Sequence, residues 1–103
     1  MKIVLGVILA GTLAMPVVAQ DAAREALLLC KAMDRTGLGS APCEVGLRTI
    51  TLHVDMISSE ARDLCSSMQN YTRANNMGFA GEWRLEIKSP YSGGQSIAFC
   101  MLP

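Results

Sequence analysis

Thr49-Ile50-Thr51-Leu52-His53-Val54-Asp55 alternates strictly between polar and apolar side chains. Successive side chains of a strand point to opposite faces, so Ile50, Leu52 and Val54 share one face. Thr49, Thr51, His53 and Asp55 share the other. With its β-branched residues, the segment from Val45 to Asp55 reads as one half-buried strand.

Downstream, the period changes. Ile57, Ala61, Leu64, Cys65, Met68 and Tyr71 recur at helical spacing, which predicts a helix capped by Ser58 or Ser59 and running to about Asn75. Asn75, Asn76 and Gly78 stop it. Glu82 to Lys88 alternates again, with Trp83, Leu85 and Ile87 against Arg84, Glu86 and Lys88. Ser89-Pro90-Tyr91-Ser92-Gly93-Gly94 is turn chemistry. Ile97 to Leu102 is apolar at every position, the mark of a strand covered on both faces.

Upstream, Asp21 to about Asp34 is helical. Asp21 is its expected N-cap, and Ala22, Ala23, Ala26, Leu27, Cys30 and Met33 form its apolar face. Leu28 and Leu29 widen that arc. Gly37, Gly39, Ser40 and Pro42 form the following loop. The order is helix, strand, helix, strand, strand. A strand–helix–strand crossover places its two strands parallel. The last strand then returns as a hairpin into the slot between them. The expected fold is a small single α+β domain, a three-stranded mixed sheet packed by helices.

The chain opens with Met1-Lys2, an apolar run from Ile3 to Met15, Pro16, then Val17-Val18-Ala19. A short basic start, an apolar stretch and small residues before a cut predict a cleavable secretory signal over residues 1–19. The apolar run is shorter than the roughly 20 residues of a spanning helix, so no stable membrane anchor is expected after cleavage. The mature domain is residues 20–103, periplasmic or extracellular. Its mean hydropathy is lower than the +0.30 of the whole chain, because the leader raises that value. Without Lys2, eight basic residues face nine acidic ones, a net charge of −1. A near-neutral domain has no electrostatic footprint for nucleic acid and no polybasic stripe for anionic lipid.

Four cysteines, Cys30, Cys43, Cys65 and Cys100, lie in the mature part. An even count in a short exported chain predicts disulfides rather than a metal or redox site, and no pair has C-x-x-C spacing. Of three connectivities, Cys30–Cys43 and Cys65–Cys100 are preferred. The first clips the first helix to the loop entering the first strand. The second pins the second helix to the last strand. No cofactor is expected.

Chemistry-bearing residues are sparse. His53, the only histidine, is a candidate base of a small hydrolase, with Asp55 to orient it and a serine of the 89–96 loop as nucleophile. An exposed strand histidine is the commoner case. Five methionines remain after processing, scattered without the clustering a copper site needs. Asn70-Tyr71-Thr72 matches a glycosylation pattern but falls inside a helix. The glycine pair of the 89–95 loop fits a hairpin connection better than an anion cradle.

A non-catalytic binding or interaction module is therefore the leading expectation. The hydrolase using His53 and a structural part of an envelope complex are the alternatives. If Cys100 faces the second helix, Ile97, Phe99 and Met101 point to the opposite face of the sheet. There they form an apolar stripe between two polar borders, with Tyr91 on the adjoining loop. Such a patch marks a protein partner or self-association, unless the first helix folds across it.

Overall fold

The computed structural model describes residues 17–103. The predicted signal segment lies outside the described residues up to position 16. Two helices and four strands follow one another: α1 (Val17–Thr36), β1 (Gly39–Gly46), β2 (Thr49–Val54), α2 (Ser58–Ala74), β3 (Trp83–Lys88) and β4 (Ser96–Leu102). The sheet order is β1-β2-β3-β4. β1 and β2 are antiparallel, β2 and β3 parallel, β3 and β4 antiparallel. The domain is thus α+β with a mixed sheet, as its periodicity implies.

The sheet has four strands rather than three. What reads as one strand from Val45 is a hairpin that reverses at Leu47-Arg48 and extends back to Gly39. The reversal is disguised in sequence, because Leu47 is apolar yet 94% exposed and Arg48 takes a left-handed φ of 55°. Both are unusual turn residues.

The last strand is not central. β3 sits directly beside β2, and among the described residues β4 pairs only with β3. No slot exists between the two parallel strands, so the closing hairpin runs along the outside. The central pair is β2 and β3, whose helix-side residues Ile50, Leu52, Val54, Leu85 and Ile87 are all buried.

Both helices pack on that one face. Ala22, Ala26, Leu29, Cys30 and Met33 of α1 join Ala61, Cys65 and Met68 of α2 in a single core with the sheet. The α1 stripe is rotated from the expected face: Leu29 is buried while Ala23 and Leu27 are exposed. A helix lying on one layer buries a narrow arc, and Leu29 continues the row of Ala22 and Ala26. In α2 the stripe Ala61, Cys65, Met68 continues to Thr72, which is fully buried, while Tyr71 is 45% exposed. Thr72 Oγ1 satisfies itself on the Gln69 carbonyl at 2.9 Å.

Helix ends differ in detail from expectation. α1 begins at Val17, so Asp21 lies inside it rather than capping it. Ile57 is the N-cap residue of α2, its N–H donating to the Glu60 carboxylate at 3.3 Å. Neither Ser58 nor Ser59 caps. Gly37, at φ 75°, ends α1 in the left-handed geometry that glycine adopts without penalty.

Two disulfides staple the layers: Cys30–Cys43, with Cα atoms 5.3 Å apart, and Cys65–Cys100, 6.1 Å apart. The first ties α1 to β1, the second α2 to β4. Below the sheet's end, Phe79 and Trp83 pack with ring centroids 5.6 Å apart.

Candidate interaction surface

Among the described residues, nothing covers the face of the sheet turned away from the helices. Register places its rows. Arg84 of β3 is paired with Met101 of β4 and Glu86 with Phe99. On β2, Thr49 and Thr51 stand beside Arg84 and Glu86, and His53 stands beside Lys88. Phe99 is 59% exposed and Met101 41%. α1 does not fold across them, because it packs on the same core as α2.

The apolar stripe therefore lies at the sheet's edge, with a polar border on one side only. It is also shorter than expected. Between the Ile87–Ala98 and Lys88–Ser96 pairs, β4 carries one extra residue, Ile97. The bulge re-aims this side chain, and Ile97 packs against the core instead of standing beside Phe99. Ser96 takes the open face, its Oγ donating to Glu86 Oε1 at 2.9 Å. Tyr91 is 82% exposed at the tip of the β3–β4 loop. The structure thus brings Phe99 and Met101 together and leaves Tyr91 on the connection.

Two residues not singled out from sequence shape this surface. Arg84 lays its guanidinium over the Phe99 ring, 4.4 Å from the centroid, and its Nη1 is 3.5 Å from Glu86 Oε2. Phe99, Arg84, Glu86 and Ser96 are so linked across two strands. Gln69 of α2 is the second. Its Nε2 donates to the Met101 carbonyl at 2.8 Å. Only the register discloses the first contact and only the helix placement the second.

That Gln69 bond identifies which backbone groups face outward. The Leu102 carbonyl accepts from Gly81 N–H on the β3 side at 2.8 Å. Backbone groups of alternate residues point to opposite sides of a strand. Cys100 therefore faces β3, while Phe99 and Met101 face away from the sheet. Among the described residues the Phe99 N–H, the Phe99 carbonyl and the Met101 N–H have no partner on that side.

The opposite edge is protected. β1 has two register shifts and contains Pro42, and its Cys43 N–H donates to Asp34 Oδ1 of α1 at 3.0 Å. Bulges, proline and covering side chains are the usual means of closing an edge. β4, Ser-Ile-Ala-Phe-Cys-Met-Leu, has no charge and no proline.

The other candidate groups are placed apart. His53 is half-buried, and its Nε2 lies 3.2 Å from Glu44 Oε2 on β1. Asp55 falls just beyond the end of β2. Ser92 Oγ donates within its own loop, and Ser96 binds Glu86, so neither is bonded to His53. The N–H groups of Tyr91, Ser92 and Gln95 are also bonded inside that loop. A cleft of about 530 Å³ opens at one end of the sheet, lined by Ala22, Leu47, Arg48, Phe79, Ala80 and Trp83. Among the described residues, no group of three or more His, Cys, Asp or Glu is placed to hold a metal ion. No helix among them is long and apolar enough to cross a membrane. No family model, no curated protein and no solved structure matches this chain.

Proposed function

We propose that this domain is a small exported interaction module that holds a protein partner on the open face and outer edge of β4. The observation that carries the reading is the exposure of Phe99 and Met101 side by side on an uncharged edge strand. An apolar patch rimmed by polar groups is a usual protein contact, and an unpaired edge accepts a strand. Export is supported by the pair of disulfides, which form and persist in oxidising compartments. The layout of residues 1–19 supports it as well.

The test is crosslinking in the native compartment, comparing the natural chain with Phe99→Glu. The reading requires a crosslinked partner that disappears in the variant while the domain stays folded. An unchanged crosslinking pattern overturns it.

A further inference from the structure

We infer that the Cys30–Cys43 bond is a reducible latch: a small dithiol opens it while Cys65–Cys100 stays closed, and residues 39–43 then leave the sheet with the rest of the domain still folded. The inference concerns the edge opposite β4 and does not depend on the reading of that strand.

The two halves of β1 are held differently. From Glu44 onward the strand pairs regularly, Glu44 with Thr51, Val45 with Ile50 and Gly46 with Thr49. Val45 also packs against the core. Both register shifts fall before Glu44, and Pro42 has no N–H to give to a ladder. Every residue from Gly39 to Pro42 is exposed. A segment with broken pairing and little burial has little of its own to hold it in place. Among the described residues, α1 bonds it at one position, Cys43. The two links there are the Cys30 sulfur and Asp34 Oδ1, which accepts the Cys43 N–H at 3.0 Å.

The other disulfide sits in a firmer frame. Cys65 lies between Ala61 and Met68 on the buried stripe of α2, and Leu102, two residues beyond Cys100, is fully buried. β4 pairs without a break from Trp83–Leu102 to Ile87–Ala98, and Gln69 binds Met101 from α2. When this bond breaks, its two sulfurs stay facing each other and join again. When Cys30–Cys43 breaks, Cys43 moves off on residues 37–44. The two thiols then meet only at the effective concentration of a short flexible linker. An exposed bond whose halves part is the more easily reduced.

Cys30 is buried and Cys43 only partly so, which directs attack to Cys43 Sγ. One dithiol sulfur, as thiolate, bonds to Cys43 Sγ, and the bond to Cys30 breaks. The second dithiol sulfur then displaces Cys43, and the reagent closes to a cyclic disulfide. Each cysteine takes up a proton given up by the reagent, and two electrons pass from the reagent to the pair. Release of Gly39 and Ala41 uncovers the outer edge of β2 at their register partners, Val54 and His53.

The experiment equilibrates the full chain, both disulfides formed, in buffers of reduced and oxidised dithiothreitol at rising ratio. Thiols are trapped by alkylation and assigned by peptide mass mapping. Backbone hydrogen exchange is followed on the partly reduced form. Cys30 and Cys43 should be labelled at a ratio at least about tenfold lower than Cys65 and Cys100. Peptides over residues 39–43 should lose protection while those of β3 keep it. Cys30→Ser combined with Cys43→Ser should show the same exchange pattern with no reagent present. Cys65–Cys100 opening first or at the same ratio, residues 39–43 staying protected after reduction, or a double variant that does not fold each overturns the inference. None of these touches the partner reading at β4, which the Phe99→Glu crosslinking comparison decides separately.

Discussion

The guanidinium of Arg84 lies over the Phe99 ring, 4.4 Å from its centre, on the uncovered face of the sheet. The two side chains come from adjacent strands and are diagonal neighbours, since Phe99 is paired in register with Glu86. At a partly exposed site such a contact contributes about 0.5–1 kcal/mol. A double-mutant cycle with Arg84→Ala and Phe99→Ala, followed by urea unfolding, should give a coupling in that range. Additive single effects would show the contact to be energetically idle.

Phe99 and Ile87 provide the sharper contrast. Ile87 is completely buried in the core, so Ile87→Ala should lower stability by about 2–4 kcal/mol through lost burial and a residual cavity. Phe99→Glu places a charge on an open face and should change the unfolding midpoint little. Loss of folding in Phe99→Glu would mean that the face is covered.

Each disulfide can be removed as a pair. Cys65 and Cys100 are 35 residues apart, Cys30 and Cys43 only 13. The loop-closure model then predicts losses of about 4 and 3 kcal/mol for the two Cys→Ala pairs. Denaturant unfolding of the two double variants measures both. The order matters more than the values, and a larger loss for the Cys30–Cys43 pair would contradict the entropic account.

Ala80 holds a left-handed φ of 55° without the freedom of glycine. Ala80→Gly removes a steric cost of about 1–2 kcal/mol and adds an unfolded-state entropy cost of about 0.5–1 kcal/mol. The variant should be slightly more stable, read as a raised thermal midpoint. A clear fall would show that the methyl group supports the neighbouring cleft.

Much of this fold is legible in the periodicity of the chain. Ile50, Leu52 and Val54 alternate as a strand does, and Leu85 and Ile87 repeat the pattern, so the parallel central pair and its crossover helix follow. The β1 strand is not legible. Gly39, Ser40 and Pro42 are loop formers by composition, and they enter a sheet because α1 supplies a disulfide and the Asp34 carboxylate to hold them. The turn at Leu47-Arg48 is hidden for a related reason, since neither residue type signals a reversal. The edge position of β4 was obscured by its apolarity. Ile97 and Ala98 are apolar because the bulge directs them to the core, Cys100 because it bonds to α2, and Phe99 and Met101 are exposed. One run of similar residues thus serves three environments, and only the register separates them.

Gln69 gives the edge a reversible cover. Gln69→Ala frees the Met101 carbonyl at the cost of one exposed hydrogen bond, about 0.5–1 kcal/mol of domain stability. Crosslinking of a partner at β4 should increase in this variant, because no side chain then competes for that carbonyl. Crosslinking of the variant beside the natural chain checks it, and weaker crosslinking would assign Gln69 a supporting rather than a competing part.

The bond between Cys65 and Cys100 also governs whether β4 can be exchanged between chains. It anchors β4 to α2 within its own chain. An anchored strand cannot leave its sheet and take the same place in a neighbour, so mutual exchange of β4 is closed while the bond stands. While it stands, β4 stays with the α2 of its own chain. Reduction lifts that restriction. The Ser89–Gln95 connection is then the hinge about which β4 is free to leave its own sheet, and such an exchange reverses only as slowly as the sheet itself opens.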